Sequence, residues 1–177
     1  MSIEVIFLSF LIYSVIGWVY ESTICSLIGK KQFMNRGFLL GPYCPIYGIG
    51  AMLCYLSLHT IPRPGILFLA SMILCSVLEY ATGYTMEKLF HAKWWDYSDL
   101  PFQLHGRVCL YGAILFGIGC MLVCYIVQPV LLFFFAQISQ DFLRIAAVIM
   151  AGVLLLDSIT TVGSWGNWKS KGAFELL

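Results

Sequence analysis

The stretch GILFLASMILCSVLEYATGYTM, residues 65–86, holds one charged residue, Glu79, and no proline. As an α-helix rising 1.5 Å per residue it covers about 30 Å, the thickness of a bilayer's hydrocarbon core. Four further apolar stretches, near residues 4–28, 38–58, 107–128 and 142–164, repeat the pattern. A segment buried in lipid must satisfy its own backbone hydrogen bonds. The sequence therefore predicts an all-α, polytopic transmembrane helical bundle of about five spans. Pro129 and the VLLFFFA after it stand between the fourth and fifth stretches, just before the polar SQD. That piece is too short to cross alone and reads as an interfacial or re-entrant piece, or as a bent extension of the fourth helix. Pairing with a neighbour to cross would make the count six.

Composition agrees with this reading. Sixty per cent of the residues are hydrophobic and 11% are charged, with a mean hydropathy of +0.88, more apolar surface than a water-soluble core hides. The length suits one compact bundle, so residues 1–177 read as a single transmembrane domain. A net charge of +1 with no basic run excludes a phosphate-neutralising surface, and with it a nucleic-acid partner. MSIEVIFLSF has no basic lead and no small-residue cleavage signature, so the first run is expected to persist as a helix. No internal repeat is seen.

Eight of the ten Lys and Arg residues fall on one side of the predicted bundle. Lys30, Lys31 and Arg36 lie between helices one and two, Lys88, Lys93 and Arg107 between three and four, and Lys169 and Lys171 after helix five; only Arg63 and Arg144 oppose them. The positive-inside rule then places the N-terminus outside and the C-terminus in the cytoplasm.

Cysteines 25, 44, 54, 75, 109, 120 and 124 form an odd set without C-x-x-C spacing, and they read as packing residues. Cys120 and Cys124 stand one helical turn apart, but no His, Asp or Glu is near them in sequence. His59, His91 and His105 are scattered. No metal and no cofactor are expected. The absence of a G-x-S-x-G elbow, a Walker A sequence and a G-x-G-x-x-G turn excludes ATP hydrolysis by this chain. ATP-driven work needs another subunit.

Three acids, Glu21, Glu79 and Asp157, interrupt apolar helices. A charge at mid-bilayer costs about 2.5–3.5 kcal/mol on insertion scales, so such residues usually face a cavity or a partner. Each lies seven or eight residues from the predicted cytoplasmic end of its helix, a depth of roughly 10–12 Å. They share one level, either around a functional cavity or as hydrogen-bonding glue between helices. At that level the second stretch, NRGFLLGPYCPIYGIGA, is broken by Pro42 and Pro45. Its freed N–H groups, with Asn35 and Arg36 ahead of them, could receive an anionic group as half-helices do in transporters; the alternative is a simple proline kink.

Helix three ends EYATGYTMEKLF, which sets Glu79, Gly83 and Glu87 at i, i+4 spacing with Tyr80 and Tyr84 alongside. Carboxylates so placed can relay protons or bind a cation, or else pair with Lys88, Arg36 or Arg107. The following HAKWWDYSDLPFQLHGR carries Trp94, Trp95 and Tyr97, suited to headgroup anchoring, and is otherwise read as a lid or a partner-docking surface.

GWVYE at 17–21, NRGFLLGPYCPIYG at 35–48, EYATGYTMEKLFHAKWWDYS at 79–98 and GRVCL at 106–110 give the chain a recognisable pattern. It resembles the bacterial ABC-transporter type IV, or CmpB-like, integral membrane proteins. The matching strings run through the first two thirds of the chain. Gln103 and His105 depart from the asparagines common before the Gly-Arg pair in that family. The resemblance implies a multi-pass, permease-like protein of the bacterial cytoplasmic membrane and supplies no catalytic residue.

Two function classes follow. One is a small permease-like transport component whose cytoplasmic-leaflet cavity binds a solute or couples to protons. Its candidate residues are Glu21, Asn35, Arg36, Tyr47, Glu79, Glu87, Asp96, Arg107 and Asp157, and its partners are the lipid bilayer, a cytoplasmic ATPase or other subunit, and a second copy of the chain. The other is a membrane-embedded enzyme acting on a lipid head group, with an acid as general acid or base and Arg36 or Arg107 holding phosphate. A non-catalytic assembly subunit is the reading if the acids only pair with neighbours.

Overall fold

Ser2 opens the first helix, its hydroxyl accepting from the Val5 N–H, and α1 runs Ile3–Val19 before widening into a π-helical turn at Tyr20–Ile24. The structure, a computed structural model, describes residues 1–24 and 37–170, with side chains for 1–23 and 37–164. Cys25, Lys30, Lys31, Asn35 and Arg36 lie outside the described residues. Residues 37–44 follow an irregular, bent path, and α2 begins only at Pro45 and ends at Leu58. The second apolar stretch is thus helical over its later part. Pro45 supplies no N–H, which suits the first turn of a helix.

Pro64 starts α3 in the same way, and α3 continues to Phe90, where His91 adopts the left-handed conformation (φ 53°) that closes many helices. Two short antiparallel strands follow, β1 at Gln103–Leu104 and β2 at Val108–Cys109, pairing Gln103 with Cys109 and Leu104 with Val108. The turn between them needs Gly106: its φ is +69°, and a Cβ there would collide with the Asp96 carboxylate and the Ser98 hydroxyl. The Cys109 sulfur accepts from Gly112 N–H to open α4, Leu110–Leu122. A π-helical turn at Val123–Val127 leads directly into α5, Gln128–Phe135. Pro129 therefore sits inside one continuous apolar helix, and the bent-extension reading describes residues 129–135. The last helix, α6, runs Gln140–Ser170.

Among the described residues, four helical segments are long and apolar enough to cross a membrane: Ile3–Thr23, Pro64–Phe90, Leu110–Phe135 and Gln140–Ser164, with Pro45–Leu58 a shorter apolar helix. The described residues are mostly helical, with two strands of two residues each, so the all-helical membrane class holds. Large apolar side chains point outward along these helices, among them Ile73, Val77, Phe133 and Leu155, and little of α6 is buried. In water such surfaces would be strongly unfavourable, whereas lipid solvates them.

The chain divides into two compact units, one of Met1–Gly48 with Phe134–Leu177 and one of Ile49–Phe133. In the first, α1 packs on α6 and on the start of α2. Gly17 makes the second contact: any Cβ there would enter the Tyr47 ring. In the second unit α3 and α4 form the main packed pair.

Candidate functional site

In the first unit the irregular segment 37–44 is held by Asp157. The Asp157 carboxylate accepts from Leu40 N–H at 3.0 Å, Gly41 N–H at 2.8 Å, the Tyr43 hydroxyl, and Thr161 Oγ1 at 2.9 Å. An acid in an apolar helix is stable because these donors replace the water it gives up. The expectation that the broken segment offers N–H groups to an external anion is corrected at Leu40 and Gly41, where the chain's own carboxylate fills that role. Glu21 stands on the π-helical turn that ends α1 and accepts from the Tyr47 hydroxyl. The Cys44 N–H donates to the Ser14 carbonyl at 2.8 Å, tying the same segment to α1.

In the second unit Glu79 is buried on α3, 4% exposed, and accepts from the Tyr97 hydroxyl at 3.0 Å. Tyr97 arrives because residues 91–109 fold back along α3. Trp95 lies against Gly83, its indole N–H donating to the Arg107 carbonyl at 2.8 Å, and the Tyr97 N–H donates to the Gly106 carbonyl at 2.8 Å. Two turns below Glu79, Glu87 accepts from Arg107 Nη2 at 2.6 Å, and the guanidinium lies 5.4 Å from the ring centres of both Tyr80 and Tyr84. The Glu87 carboxylate raises the Arg107 pKa above its usual range.

Gln103 and His105 both have partners. Gln103 Oε1 accepts from Gly106 N–H at 2.6 Å, and His105 Nδ1 pairs with the Tyr80 hydroxyl at 2.9 Å. Asp96 anchors the segment's exposed rim. It bonds Lys93 Nζ at 2.9 Å, the Ser98 N–H at 3.0 Å and the Ser98 hydroxyl at 2.5 Å, and these contacts hold its carboxyl down to about 2.

The candidates therefore fall into two sets. Glu21, Tyr47 and Asp157 belong to the first unit, and Glu79, Glu87, Asp96 and Arg107 to the second. An open apolar groove of about 520 Å³ in the second unit, bordered by Met72, Ser76, Tyr80 and Leu104 among others, is lined by none of these acids. Sequence spacing did not disclose the gathering of Cys54, Cys75 and Cys120, whose sulfurs all lie within 4.8 Å of one another. Three residues on three helices leave no linear signature. It also gave no sign that Tyr43 and Thr161 serve Asp157.

The family model described as "Putative ABC-transporter type IV" matches residues 8–162, most of the chain. Comparison with curated proteins and with solved structures found no match.

Proposed function

Because the chain belongs to the ABC-transporter type IV family, we propose that it is the permease-like membrane component of a bacterial transport system, with Glu79 under its folded 91–109 segment as the working site. The family and the apolar helices make it a multi-pass membrane protein related to transport. The observation that carries the finer reading is the buried Glu79 carboxylate, capped by a hydroxyl from a segment that folds back over α3. An ionisable group inside a span is costly to keep, and proton or solute binding gives a reason for keeping it.

The closure is built mainly of polar contacts that can open together: Tyr97 to Glu79, Trp95 to the Arg107 carbonyl, and Arg107 to Glu87. Opening would uncover both carboxylates and release the guanidinium. With the N-terminus outside and the C-terminus in the cytoplasm, the segment faces the cytoplasm, where an ATPase subunit would engage it. The weakly buried α6 would meet lipid or a second copy. In the closed segment Arg107 is paired with Glu87, which weakens the lipid-enzyme alternative for that residue; the other phosphate candidate, Arg36, lies outside the described residues.

The test is ion flux into proteoliposomes of the purified full chain, read with a trapped pH-sensitive dye under an imposed potassium diffusion potential. Proton entry that Glu79→Gln abolishes and Asp141→Asn, an exposed acid at the start of α6, retains is the expected result. Equal flux from wild type and Glu79→Gln, or turnover of a labelled phospholipid by the detergent-purified chain, would overturn it.

A further inference from the structure

Three sulfur atoms in the second unit converge on one point. Cys54 of α2, Cys75 of α3 and Cys120 of α4 place their Sγ atoms 3.6 Å (54 to 75), 3.5 Å (75 to 120) and 2.9 Å (120 to 54) apart. All three are free thiols and all are buried, Cys54 completely, behind Leu58, Leu74 and Phe116. Ser71 is also fully buried, one turn before Cys75. Its hydroxyl faces the Cys54 sulfur and has no hydrogen-bond partner within normal reach.

As small apolar residues, cysteines fit a helical interior singly, and S–H groups are weak donors that give little reason to gather. Sulfurs from three separate helices meeting at one centre make the donor set of a soft-metal site. We propose that Cys54, Cys75 and Cys120 bind one thiophilic cation, Cu(I), between α2, α3 and α4. Thiolates select soft ions such as Cu(I) or zinc. Structural zinc closes a tetrahedron of four ligands, and among the described residues no further His, Cys, Asp or Glu joins these three. Three-coordinate Cu(I) needs none, so the three sulfurs already form its complete ligand set.

On binding, the coordinating thiols release their protons to solvent and no electron is transferred. Metal–thiolate bonds of about 2.3 Å would hold the sulfurs roughly 4 Å apart, so the triangle opens slightly by rotation about the cysteine side-chain bonds. The Ser71 hydroxyl then donates to a thiolate.

The experiment loads the reduced, purified full chain anaerobically with Cu(I) against a chromophoric Cu(I) chelator. About one ion per chain is expected, with sulfur-only ligation in the copper X-ray absorption spectrum. Changes around a metal's ligands alone cost about 10–100-fold in affinity, so Cys54→Ser, Cys75→Ser or Cys120→Ser should each cost at least about 100-fold. Cys124→Ser, buried in the same unit, should bind as wild type does. Because a serine variant could misfold, wild-type protein is also alkylated with N-ethylmaleimide in partial denaturant and mapped by mass spectrometry. Cu(I) should protect Cys54, Cys75 and Cys120 and leave Cys44 and Cys109 unprotected. No stoichiometric uptake, undiminished binding by the triple serine variant, protection spread over all the cysteines, or uptake of Zn(II) with none of Cu(I) would each overturn the proposal.

Discussion

The Tyr97 hydroxyl reaches back 18 positions to donate to the Glu79 carboxylate at 3.0 Å. A segment containing only two short strands thereby supplies a hydrogen bond to the most buried carboxylate among the described residues. Glu79 depends on the segment for a donor, and the segment depends on Glu79 for part of its attachment. A change in either residue should thus be felt in both.

Replacing Tyr97 with Phe keeps the ring and removes the donor. A hydrogen bond to a charged group contributes about 1.5–3 kcal/mol, so Tyr97→Phe should lower stability by an amount in that range. Residues 91–109 should exchange amide hydrogens faster and be nicked sooner by protease. Glu79→Gln keeps a carbonyl that can accept from Tyr97, so it should loosen the segment less while still abolishing proton flux. Hydrogen exchange by mass spectrometry in detergent, run on both variants, reads the difference; equal loosening would show that the carboxylate's charge, not its acceptor, holds the loop.

Asp157 is expected to be a structural acid. Its carboxylate accepts from two backbone N–H groups and two hydroxyls, and an amide has one acceptor oxygen and an NH2 that would face donors. Asp157→Asn should therefore destabilise the first unit by about 1 kcal/mol, since its donors are part-buried and the bond from the Leu40 N–H is exposed. Tyr43→Phe should cost less, because three donors remain. Thermal unfolding in detergent, followed by tryptophan fluorescence, ranks the two; a neutral Asp157→Asn would return Asp157 to the list of ligand-binding candidates.

Much of the helical architecture was legible because lipid imposes a simple rule. A run of apolar residues about 20 long, such as 65–86, has few alternatives to a spanning helix. The break before α2 was legible through Pro42 and Pro45, and the pairing of Glu87 with Arg107 was among the partners the sequence offered. What fills the break was not, since the Gly41-to-Asp157 bond joins residues 116 positions apart. Periodicity describes one helix at a time, whereas Cys54, Cys75 and Cys120 depend on the rotation of three. The π-helical turns at Tyr20–Ile24 and Val123–Val127 were likewise hidden, because a single extra residue per turn leaves hydropathy unchanged.

Gly17 permits α1 to lie against the start of α2. With a Cβ at 17 directed into the Tyr47 ring, Gly17→Val must push α2 away or turn Tyr47 out of its bond with Glu21. Overpacking of this kind costs about 1–3 kcal/mol. Unfolding temperature should fall accordingly, and a Tyr47→Ala change in the same chain should recover part of the loss by making room. If the double variant is less stable than Gly17→Val alone, the contact does not limit packing at this position.

Asp96 gives the folded segment an acid limit. Bonds from Ser98 and Lys93 lower its carboxyl to about 2 in the folded chain, against 3.8 for the free side chain. A depressed carboxylate stabilises the fold above its unfolded pKa, and the contribution is lost as pH falls through the folded value. Order in residues 93–106 should therefore be unchanged between pH 7 and 5, decline below about pH 4, and be lost near pH 2. Asp96 is exposed, so solvent and salt weaken the effect, which should shrink further in high salt. Asp96→Asn should leave the segment looser at neutral pH and flatten the pH response between 4 and 2. Protease cleavage after brief exposure to each pH checks both halves, and an Asp96→Asn profile as steep as wild type would place the acid transition elsewhere, with the Glu87 to Arg107 pair the next group to examine.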